Sequence, residues 1–437
     1  MNRKWIWAIT TVIMVIIAII PSHISGAIAQ NEEVFQGSSV VYAGEDGLYW
    51  ISLDENKEVL IVKGSYISEP VFSKSGKIIV FKQERDLFAY DFTTSKITKI
   101  LAEVSSYCAG AENEFYMAGK SIGIQRINLQ TLTTIDILPY DAMKTYNNLK
   151  LSPDHRYLAF SVENYEENTH YSGGLWIYDT QTKIWKQIVE GTRNTDDSIG
   201  NNPRAAKWSP DSKKLFFWDI PGAASLAADG VGARFYDMER EEIILESSGL
   251  AYDENVSFSE SHTFAMITGG SRMMFENKYL TVFDLNRELT RIDLETPGLI
   301  PTTPDYSKDG KILIFSASPS VEKYDDFAEK MASISKRQIY KYVEGKICPL
   351  TQGEEYRSEY PTLLRDQQHM VFARVSRAGE KSLWIMDING KNMKQVARWQ
   401  YSEPVNVRGL DFYGRIDWSS IFTVHDNTKS TDISQMQ

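Results

Sequence analysis

The chain has 437 residues, of which 42% are apolar and 24% charged, and its formal net charge is −11. These values are ordinary for a globular protein and exclude wholesale disorder, a collagen-like fibre and a long coiled coil. With only 2 Cys and 6 His, the composition also excludes a disulfide-stapled scaffold and a metal site built on a Cys cluster. The acidic excess makes nucleic acid and anionic membrane surfaces poor partners, since both bind clustered Lys and Arg.

The N-terminus has the pattern of an export signal. Arg3 and Lys4 precede an uncharged run from Trp5 to Ile20, and residues 27–29 supply a small-x-small cleavage pattern. We interpret residues 1–29 as a cleaved signal peptide, which places the mature chain outside the cytoplasm. Its removal changes the net charge from −11 to −13, because two positive side chains are lost. An uncleaved membrane anchor is the alternative, although the run is shorter than the ~20 residues that span a bilayer.

The rest of the chain repeats a unit of four strand-length segments separated by polar turns. In the clearest unit, at residues 69–100, an apolar stretch ends in a serine that begins the first turn. This turn serine recurs at Ser73, Ser152, Ser209, Ser259, Ser307 and Ser419, with Arg365 in the same slot. Most gaps between these positions are 48 to 58 residues. Four short strands in a unit of this length are typical of a β-propeller blade.

We therefore predict an all-β fold, a single β-propeller of four-stranded antiparallel blades over residues 30–425, followed by a polar flexible tail at 426–437. A degenerate unit at 102–138 brings the blades to eight, or to seven if that unit is irregular. The first unit lacks an inner strand, and residues 415–419 resemble an inner strand without a blade. We expect them to complete the first blade, so that the N- and C-terminal strands close the ring. The aromatic residues are then expected to pack between blades.

Four of the turn sequences are closely related to one another: Phe72-Ser-Lys-Ser-Gly, Leu151-Ser-Pro-Asp, Trp208-Ser-Pro-Asp and Tyr306-Ser-Lys-Asp-Gly. They resemble the Trp-Ser-Pro-Asp-Gly repeat of the TolB-like and WD-like β-propeller family, and the likeness extends over residues 35–425. It implies the fold rather than a function, because TolB-type scaffolds, propeller domains of prolyl-type peptidases and some polysaccharide lyases share the repeat. TolB resembles a six-bladed propeller with an extra N-terminal domain, so its role does not simply transfer.

The strand order predicts where a ligand site lies. Loops that precede the inner strands and loops between the second and third strands would share one face of the ring. On that face, Ser-Glu-Pro triplets place three carboxylates near the channel, with a tyrosine and an arginine beside them. The resulting candidate ligand-binding residues are Glu69, Glu359, Glu403, Tyr360 and Arg204. Clustered carboxylates attract cations or ammonium groups; the structural alternative is that Glu accepts loop N–H groups while Pro sets the strand start.

Three loops of the same face are long, at residues 163–174, 219–232 and 317–336, and long loops in a tight repeat are often functional. In the third loop, Ser318 and Pro319 fit the N-cap and first position of a helix. An apolar stripe at helical spacing follows, formed by Val321, Tyr324, Phe327 and Met331. We expect this stripe to dock on the propeller or on a partner.

The sequence contains no Gly-x-Ser-x-Gly elbow, no His-Glu-x-x-His, no Cys-x-x-Cys and no phosphate-binding Gly-rich loop. We therefore predict no catalytic residues, no metal ligands and no cofactor beyond a cation in the channel. Cys108 and Cys348 are expected to be unpaired, mostly buried thiols on an inner and an outer strand.

These observations favour an exported, monomeric, non-catalytic propeller that binds a protein, a peptide or an envelope polymer. One alternative is a carbohydrate-active lyase or hydrolase with a carboxylate site in the channel. The other is a membrane-tethered sensor, which requires an uncleaved N-terminus.

Overall fold

The structure, a computed structural model, describes residues 37–167, 169–286, 290–321, 327–399 and 413–426. Within these residues the chain forms eight antiparallel sheets, each with a path of four hydrogen-bonded strands. The inner strands of neighbouring sheets contact one another around a common axis. The predicted all-β propeller with eight blades is confirmed, and the seven-blade alternative is wrong because the degenerate unit forms a complete sheet. Candidate residue Glu403 and the proposed signal segment lie outside the described residues.

The strands of blades 1 to 4 are β1 (Ser38–Ala43), β2 (Gly47–Ser52), β3 (Lys57–Lys63), β4 (Ile67–Phe72), β5 (Ile78–Gln83), β6 (Asp86–Asp91), β7 (Lys96–Leu101), β8 (Val104–Ala109), β9 (Glu114–Gly119), β10 (Ile122–Asn128), β11 (Thr133–Leu138), β12 (Lys144–Leu151), β13 (Tyr157–Glu166), β14 (Thr169–Asp179) and β15 (Trp185–Val189). Blade 1 holds β1 to β3, blades 2 to 4 take the next four strands each, blade 5 takes the following five, and blades 6 to 8 again take four strands each.

The strands of blades 5 to 8 are β16 (Asn201–Trp208), β17 (Lys214–Pro221), β18 (Val231–Asp237), β19 (Glu242–Ile243), β20 (Ser247–Gly249), β21 (Val256–Phe258), β22 (Thr263–Thr268), β23 (Tyr279–Asp284), β24 (Thr290–Leu294), β25 (Leu299–Tyr306), β26 (Ile312–Pro319), β27 (Gln338–Val343), β28 (Lys346–Pro349), β29 (Tyr356–Leu363), β30 (His369–Ser376), β31 (Lys381–Asp387) and β32 (Lys394–Trp399). In blade 5 both β19 and β20 pair with β18.

The turn serines hold the hairpin between the first two strands of a blade. Ser209 is 1% exposed, its hydroxyl accepts a hydrogen bond from the Lys214 N–H at 2.9 Å and donates to Asp211 Oδ1 at 2.6 Å. Ser152 and Ser307 make the same pair of contacts. A short side chain that both donates and accepts can satisfy such a buried turn, and this is why serine marks the repeat.

The ring closes through a terminal strand, as predicted, but the strand is not the predicted one. The last strand, β33 (Phe422–Asp426), pairs antiparallel with β1 and so supplies the inner strand of blade 1. Residues 415–419 instead precede it and include a 3₁₀ helix, Trp418–Ser420. Ser419 is therefore not a turn serine. Its hydroxyl donates to Asp417 Oδ1 at 2.6 Å, a local contact that a sequence pattern does not distinguish from the repeat.

The hydrophobic core lies between blades rather than in one central mass. Blades 5 and 6, for example, share a cluster in which the Phe264 ring lies 4.9 Å from both Phe216 and Phe235. Blades 8 and 1 are joined by a cluster that contains Val40, Val371 and Trp418. Flat rings fill the wedge between twisted sheets, so the predicted aromatic packing between blades is confirmed.

The three long loops are more regular than the sequence indicates. Residues 163–174 continue the hairpin of β13 and β14, whose pairing extends to Glu166 opposite Thr169. The second loop contains a short helix, α1 (Ala224–Ala228). The third contains α2 (Phe327–Ile334), but the predicted start at Ser318 and Pro319 is wrong, because both residues still pair with β25 as part of β26. Tyr324 of the predicted stripe lies outside the described residues.

Cys108 and Cys348 are both unpaired, as predicted, on the inner strand β8 and the outer strand β28. Burial raises the pKa of the Cys108 thiol to about 12, so this group is neutral at physiological pH. The expectation that both are mostly buried is wrong for Cys348, which is exposed on the outer edge of its blade. Among the described residues, no helix has the length and apolar character needed to cross a membrane.

Candidate functional site

The ring has two different faces. On one, which we call the turn face, the turn serines join the first and second strands of each blade. On the other, which we call the loop face, lie the starts of the inner strands and the loops between second and third strands. The candidate residues predicted from sequence that lie within the described part of the chain are all on inner strands, near the loop face.

Several inner strands share a bulge next to the channel. The pairing between the inner and second strands skips two residues in blades 2, 4, 7 and 8. The first skipped residue has a positive φ, at Glu69 (52°), Asn148 (55°), Thr303 (46°) and Tyr360 (53°). Tyr360, and not Glu359, is thus the structural equivalent of Glu69, so the predicted alignment of the two glutamates is wrong by one residue. The cause is the bulge, since a one-residue shift turns a side chain to the other face of the sheet.

Glu69 and Glu359 are each bound by cations of their own. Glu69 is 46% exposed and accepts from Lys82 Nζ at about 2.9 Å. Glu359 is 3% exposed and accepts from Arg337 Nη1 at 2.7 Å and from Trp418 Nε1 at 2.8 Å. Arg357 Nε lies 3.2 Å from the same carboxylate. Burial alone would raise the pKa of Glu359, but the two guanidinium groups hold it below its ordinary value.

Tyr360 packs its ring edge-on against Phe422 of the closing strand, with 5.4 Å between ring centroids. Burial raises the pKa of its hydroxyl far above the usual value, with nearby carboxylates adding to the effect. The structure does not bring Glu69, Glu359 and Tyr360 together as one ligand set. The assignment of ligand binding to these residues stays a prediction.

Arg204 belongs to a cluster of charges in the channel. Its Nη2 donates to the Ala251 carbonyl at 2.6 Å and to Asp253 Oδ1 at 3.3 Å. Lys150 of blade 4 also reaches Asp253, with 2.9 Å between Nζ and Oδ2. Asp253 directly precedes the inner strand of blade 6. The Lys150 and Asp253 side chains therefore meet across the inner strand of blade 5, on the channel side. Lys207 and Asp305 complete what we call the channel cluster, and burial lowers the pKa of Lys207 and raises that of Asp305.

The sequence prediction missed four members of this cluster, Lys150, Lys207, Asp253 and Asp305, although a signal exists for three of them. Lys150, Lys207 and Asp305 each stand two residues before a turn serine. That slot lies on the inner strand, and blades 2, 6 and 8 carry the uncharged Val71, Ser257 and Leu363 there. A charged side chain in such a position needs a partner, and the period of the repeat predicts that the three meet in the channel.

A C-terminal strap, residues 413–421, lies over the channel-side ends of blades 6, 7, 8 and 1. The Tyr413 carbonyl accepts from the Met274 N–H at 2.7 Å, and the Gly414 carbonyl accepts from Arg337 at 3.0 Å. Arg415 Nε lies 2.5 Å from Glu254 Oε1, and its guanidinium stacks 4.0 Å from the Tyr252 ring. The segment predicted to be an inner strand therefore covers these ends and is held by a buried ion pair and by hydrogen bonds to its backbone.

The extended hairpin of blade 4 and the adjoining loops of blade 5 form a polar cleft of about 430 Å³ on the loop face. Arg193 stacks 3.5 Å above the Tyr171 ring and pairs with Glu166 at 2.7 Å. The other residues lining the cleft are Glu163, Thr169, His170, Ser172, Thr192, Asn194, Asn201, Asn202 and Gly222. The Asn194 and Asn201 amides hydrogen-bond to the loops themselves, whereas the His170 side chain is 69% exposed at the rim.

Large apolar side chains are exposed on the loop face, some of them next to this cleft. Tyr165 is 39% exposed, and its ring lies 6.1 Å from that of His170. Its backbone N–H donates to the Met143 carbonyl at 2.8 Å, so the two residues stand side by side. Among the described residues, the large hydrophobic side chains exposed at this face, in its loops or at the ends of adjoining elements, are Tyr66, Tyr140, Met143, Tyr165, Ile199, Leu226 and Tyr279.

Within the described part of the chain, no group of three or more His, Cys, Asp or Glu side chains has a metal-binding arrangement. The cation considered in the sequence analysis remains a prediction, because Glu403 is outside the described residues.

Comparisons with known proteins support the fold alone. No family model matches the chain, and no curated protein matches it. Among solved structures, it is similar to dipeptidyl peptidase 4 from Porphyromonas gingivalis at 10% identity, with a TM-score of 0.57 and coverage of 84% of this chain and 58% of that one. A structure from a study of two prolyl endopeptidases matches at 9% identity, with a TM-score of 0.51 and coverage of 78% and 50%. The chain thus spans only half to three-fifths of the length of these two proteins.

A protein described as a putative TolB from Agrobacterium tumefaciens also matches, at 13% identity and a TM-score of 0.35, with coverage of 83% of this chain and 89% of that one. The likeness to the two peptidase structures, with TM-scores of 0.57 and 0.51 at 10% and 9% identity, establishes a shared fold. It assigns neither the peptidase activities nor the TolB role to this chain.

Proposed function

We propose that this protein is an exported, non-catalytic propeller scaffold that binds a protein partner on its loop face. The observation that supports this most directly is the group of exposed apolar residues around the polar cleft, which includes Met143, Tyr165 and Ile199. Aromatic residues and Met are enriched in protein interfaces. A cluster of them on one face, beside a recess, marks a binding surface more often than a solvated one.

The aliphatic members of the group favour a protein over a polysaccharide. Aromatic faces suit sugars as well as proteins, but Ile199, at 55% exposure, and Leu226, at 48%, offer little to a hydroxylated chain. The stacked pair of Arg193 and Tyr171 gives the cleft a rigid wall. Arginine and tyrosine are also the residue types that most often dominate binding energy at interfaces.

The carboxylates of the channel give little support to the enzymatic alternative. Asp253 is shared by Lys150 and Arg204, Glu254 is held by Arg415, and Asp305 accepts from the Ser257 hydroxyl and the Leu363 N–H. A general acid and base pair needs carboxylates that can reach a substrate. In the described residues, these carboxylates are instead engaged with protein groups.

A photo-crosslinking experiment tests the proposal. A photoreactive amino acid replaces Tyr165 in the full-length exported chain, and the same amino acid replaces Leu132, which is 46% exposed beside the opposite face. We expect the Tyr165 probe to yield a discrete crosslinked partner that the Leu132 probe does not yield. Met143→Ser and Ile199→Ser should each reduce the yield at Tyr165 several-fold, because each removes apolar contact area.

Equal crosslinking from the two faces, or yields unaffected by Met143→Ser and Ile199→Ser, would contradict the proposal. Leu132→Ser is the matched control, since it also removes an exposed apolar side chain but lies away from the loop face. A polysaccharide-degrading activity that copurifies with the protein and is lost on Asp253→Asn would favour the enzymatic alternative.

A further inference from the structure

The channel cluster contains more positive charge than its own carboxylates balance. Lys150, Arg204 and Lys207 converge there from the inner strands of blades 4 and 5, and Asp253 and Asp305 are the carboxylates that face them. Glu254, the next residue along the chain, is already bound by Arg415 of the C-terminal strap. The five residues of the channel cluster therefore carry one cation in excess when all are charged, while Arg415 lies between two carboxylates, Glu254 and Asp417.

Both carboxylates also serve other donors. Asp253 Oδ1 accepts from Trp218 Nε1 at 3.2 Å in addition to its two cations. Asp305 accepts from the Ser257 hydroxyl at 3.0 Å and from the Leu363 N–H at 2.8 Å. The hydrogen bond that Lys207 Nζ makes within the described residues is to the Val256 carbonyl, at 2.5 Å. A neutral carbonyl does not neutralise an ammonium group, so part of the positive charge has no direct counter-ion.

Two buried donors of the same region have no hydrogen-bond partner among the described residues. They are Arg204 Nε and Asn255 Nδ2. Asn255 is 1% exposed, and its Oδ1 accepts from the Thr303 N–H at 3.3 Å, so only the amide NH₂ is left over. Buried donors in native proteins nearly always have a partner, and where the protein supplies none, water or an anion does.

One short segment brings these groups together. Residues 251–256 contact all three cations, through the Ala251 carbonyl, the Asp253 carboxylate and the Val256 carbonyl, and the same segment carries Asn255. The side chains of Lys150 and Arg204 are 35% and 29% exposed, so space open to solvent adjoins them. A lysine and an arginine beside such a space, with the buried amide NH₂ of Asn255 on the segment that contacts both, match the acceptors of a small oxyanion.

We propose that the channel beside residues 251–256 binds a small oxyanion, a carboxylate or phosphate group, held by Lys150, Arg204, Lys207 and the Asn255 amide. The anion supplies the missing negative charge and accepts from both unpaired donors. It would also tie blades 4, 5 and 6 together at the channel. This inference does not depend on the proposed protein partner of the loop face.

Isothermal titration calorimetry on the full chain tests the proposal, with inorganic phosphate and acetate as the probes and sodium chloride keeping the ionic strength constant. We expect saturable binding of at least one oxyanion and none of chloride, since screening by salt alone does not saturate. Binding of phosphate but not acetate would identify the ligand group as a phosphate, and binding of acetate but not phosphate would identify it as a carboxylate. Heats of dilution only, for both probes, would overturn the proposal.

Variants distinguish this site from association with surface lysines. Asn255→Asp keeps the acceptor for Thr303 but replaces the unpaired donor with a negative charge, and we expect the affinity to fall at least about tenfold. Lys150→Gln, at a partly exposed position, should weaken binding similarly with less risk to folding. The matched control is Lys213→Gln, since Lys213 is 50% exposed and pairs with Glu239 on the turn face; the affinity of this variant should equal that of the wild type. Unchanged affinity in folded Asn255→Asp and Lys150→Gln would contradict the proposed site.

Discussion

Glu359 stabilises the fold, although the sequence predicts a ligand site at its position. Its carboxylate is buried between Arg337, Arg357 and Trp418. Blades 7 and 8 and the C-terminal strap each contribute one or more of these groups. A buried carboxylate with this many partners is satisfied by the protein and holds its neighbours in place.

We expect Glu359→Gln to lower the free energy of unfolding by about 3–5 kcal/mol, because Arg337 and Arg357 would remain buried without their counter-charge. Urea unfolding at pH 7 measures the change. The matched control is Glu380→Gln, since Glu380 pairs with Arg398, whose side chain is 59% exposed; its cost should stay below about 1 kcal/mol. Equal losses in the two variants would contradict the structural role of Glu359.

The same substitution has a predicted pH dependence. The pKa of Glu359 is lowered in the folded state, because the two guanidinium groups outweigh the effect of burial. Its contribution to stability is therefore complete above the unfolded-state pKa of about 4.3 and is lost as the pH falls through the lower folded-state value. The difference between wild type and Glu359→Gln should be constant from pH 6 to 8 and should shrink below about pH 4.

At the scale of elements, the C-terminal strap depends on a close approach to helix α2. Gly414 has a φ of 79°, and a Cβ atom built there would lie 2.3 Å from Ile334 Cδ1. Gly345, in the hairpin between β27 and β28, has a similar φ of 77° but no atom within 4 Å of such a Cβ. Comparing alanine substitutions at the two glycines therefore separates the cost of backbone strain from the cost of a packing clash.

We expect Gly345→Ala to destabilise the protein by about 1 kcal/mol, the cost of a left-handed conformation for a residue with a Cβ. Gly414→Ala should cost about 2 kcal/mol more, because Ile334 or the strap must also move. Thermal unfolding of the two variants measures the difference. Equal shifts in Tm would mean that the strap does not pack tightly on α2.

The repeat made the elements of the propeller predictable, but not their exact ends. The turn serines identified the hairpins of the blades because each serine satisfies a buried turn. Ser318 and Pro319 fitted a helix start by local chemistry, yet pairing with β25 keeps them in a strand. Tertiary hydrogen bonds outweigh a local preference of a fraction of a kcal/mol.

At the scale of the whole molecule, one strand near the C-terminus closes the ring. β33 pairs with β1 over residues 38–42 and 422–426. Its Phe422 packs against Tyr360 of blade 8, and Ile421 and Phe422 are buried in the cluster between blades 8 and 1. Without this strand, β1 would become an unpaired edge and an interblade core would open to solvent.

Truncation tests this closure. We expect a chain that ends after Ile421 to lose cooperative unfolding or to aggregate, because the inner strand of blade 1 is missing. A chain that ends after Asp426 keeps β33 complete and should unfold at the same urea concentration as the full chain. Circular dichroism and size-exclusion chromatography report both outcomes. A stable, monomeric protein from the shorter chain would show that the ring does not need β33.

The sequence by itself determined the propeller fold, the strand order within the blades and the closure of the ring by the two ends of the chain, and it left the number of blades at eight or seven. These features are predictable because every blade needs the same turns and the same packing against its neighbours. The same residue types therefore recur at the same spacing. Only the tertiary structure decided which side chains meet. The bulge that exchanges Glu359 for Tyr360 beside the channel, the strap over blades 6 to 1 and the meeting of Lys150 with Asp253 all join residues of different blades. Contacts of that kind depend on the register and curvature of the whole ring, which no local pattern in the chain records.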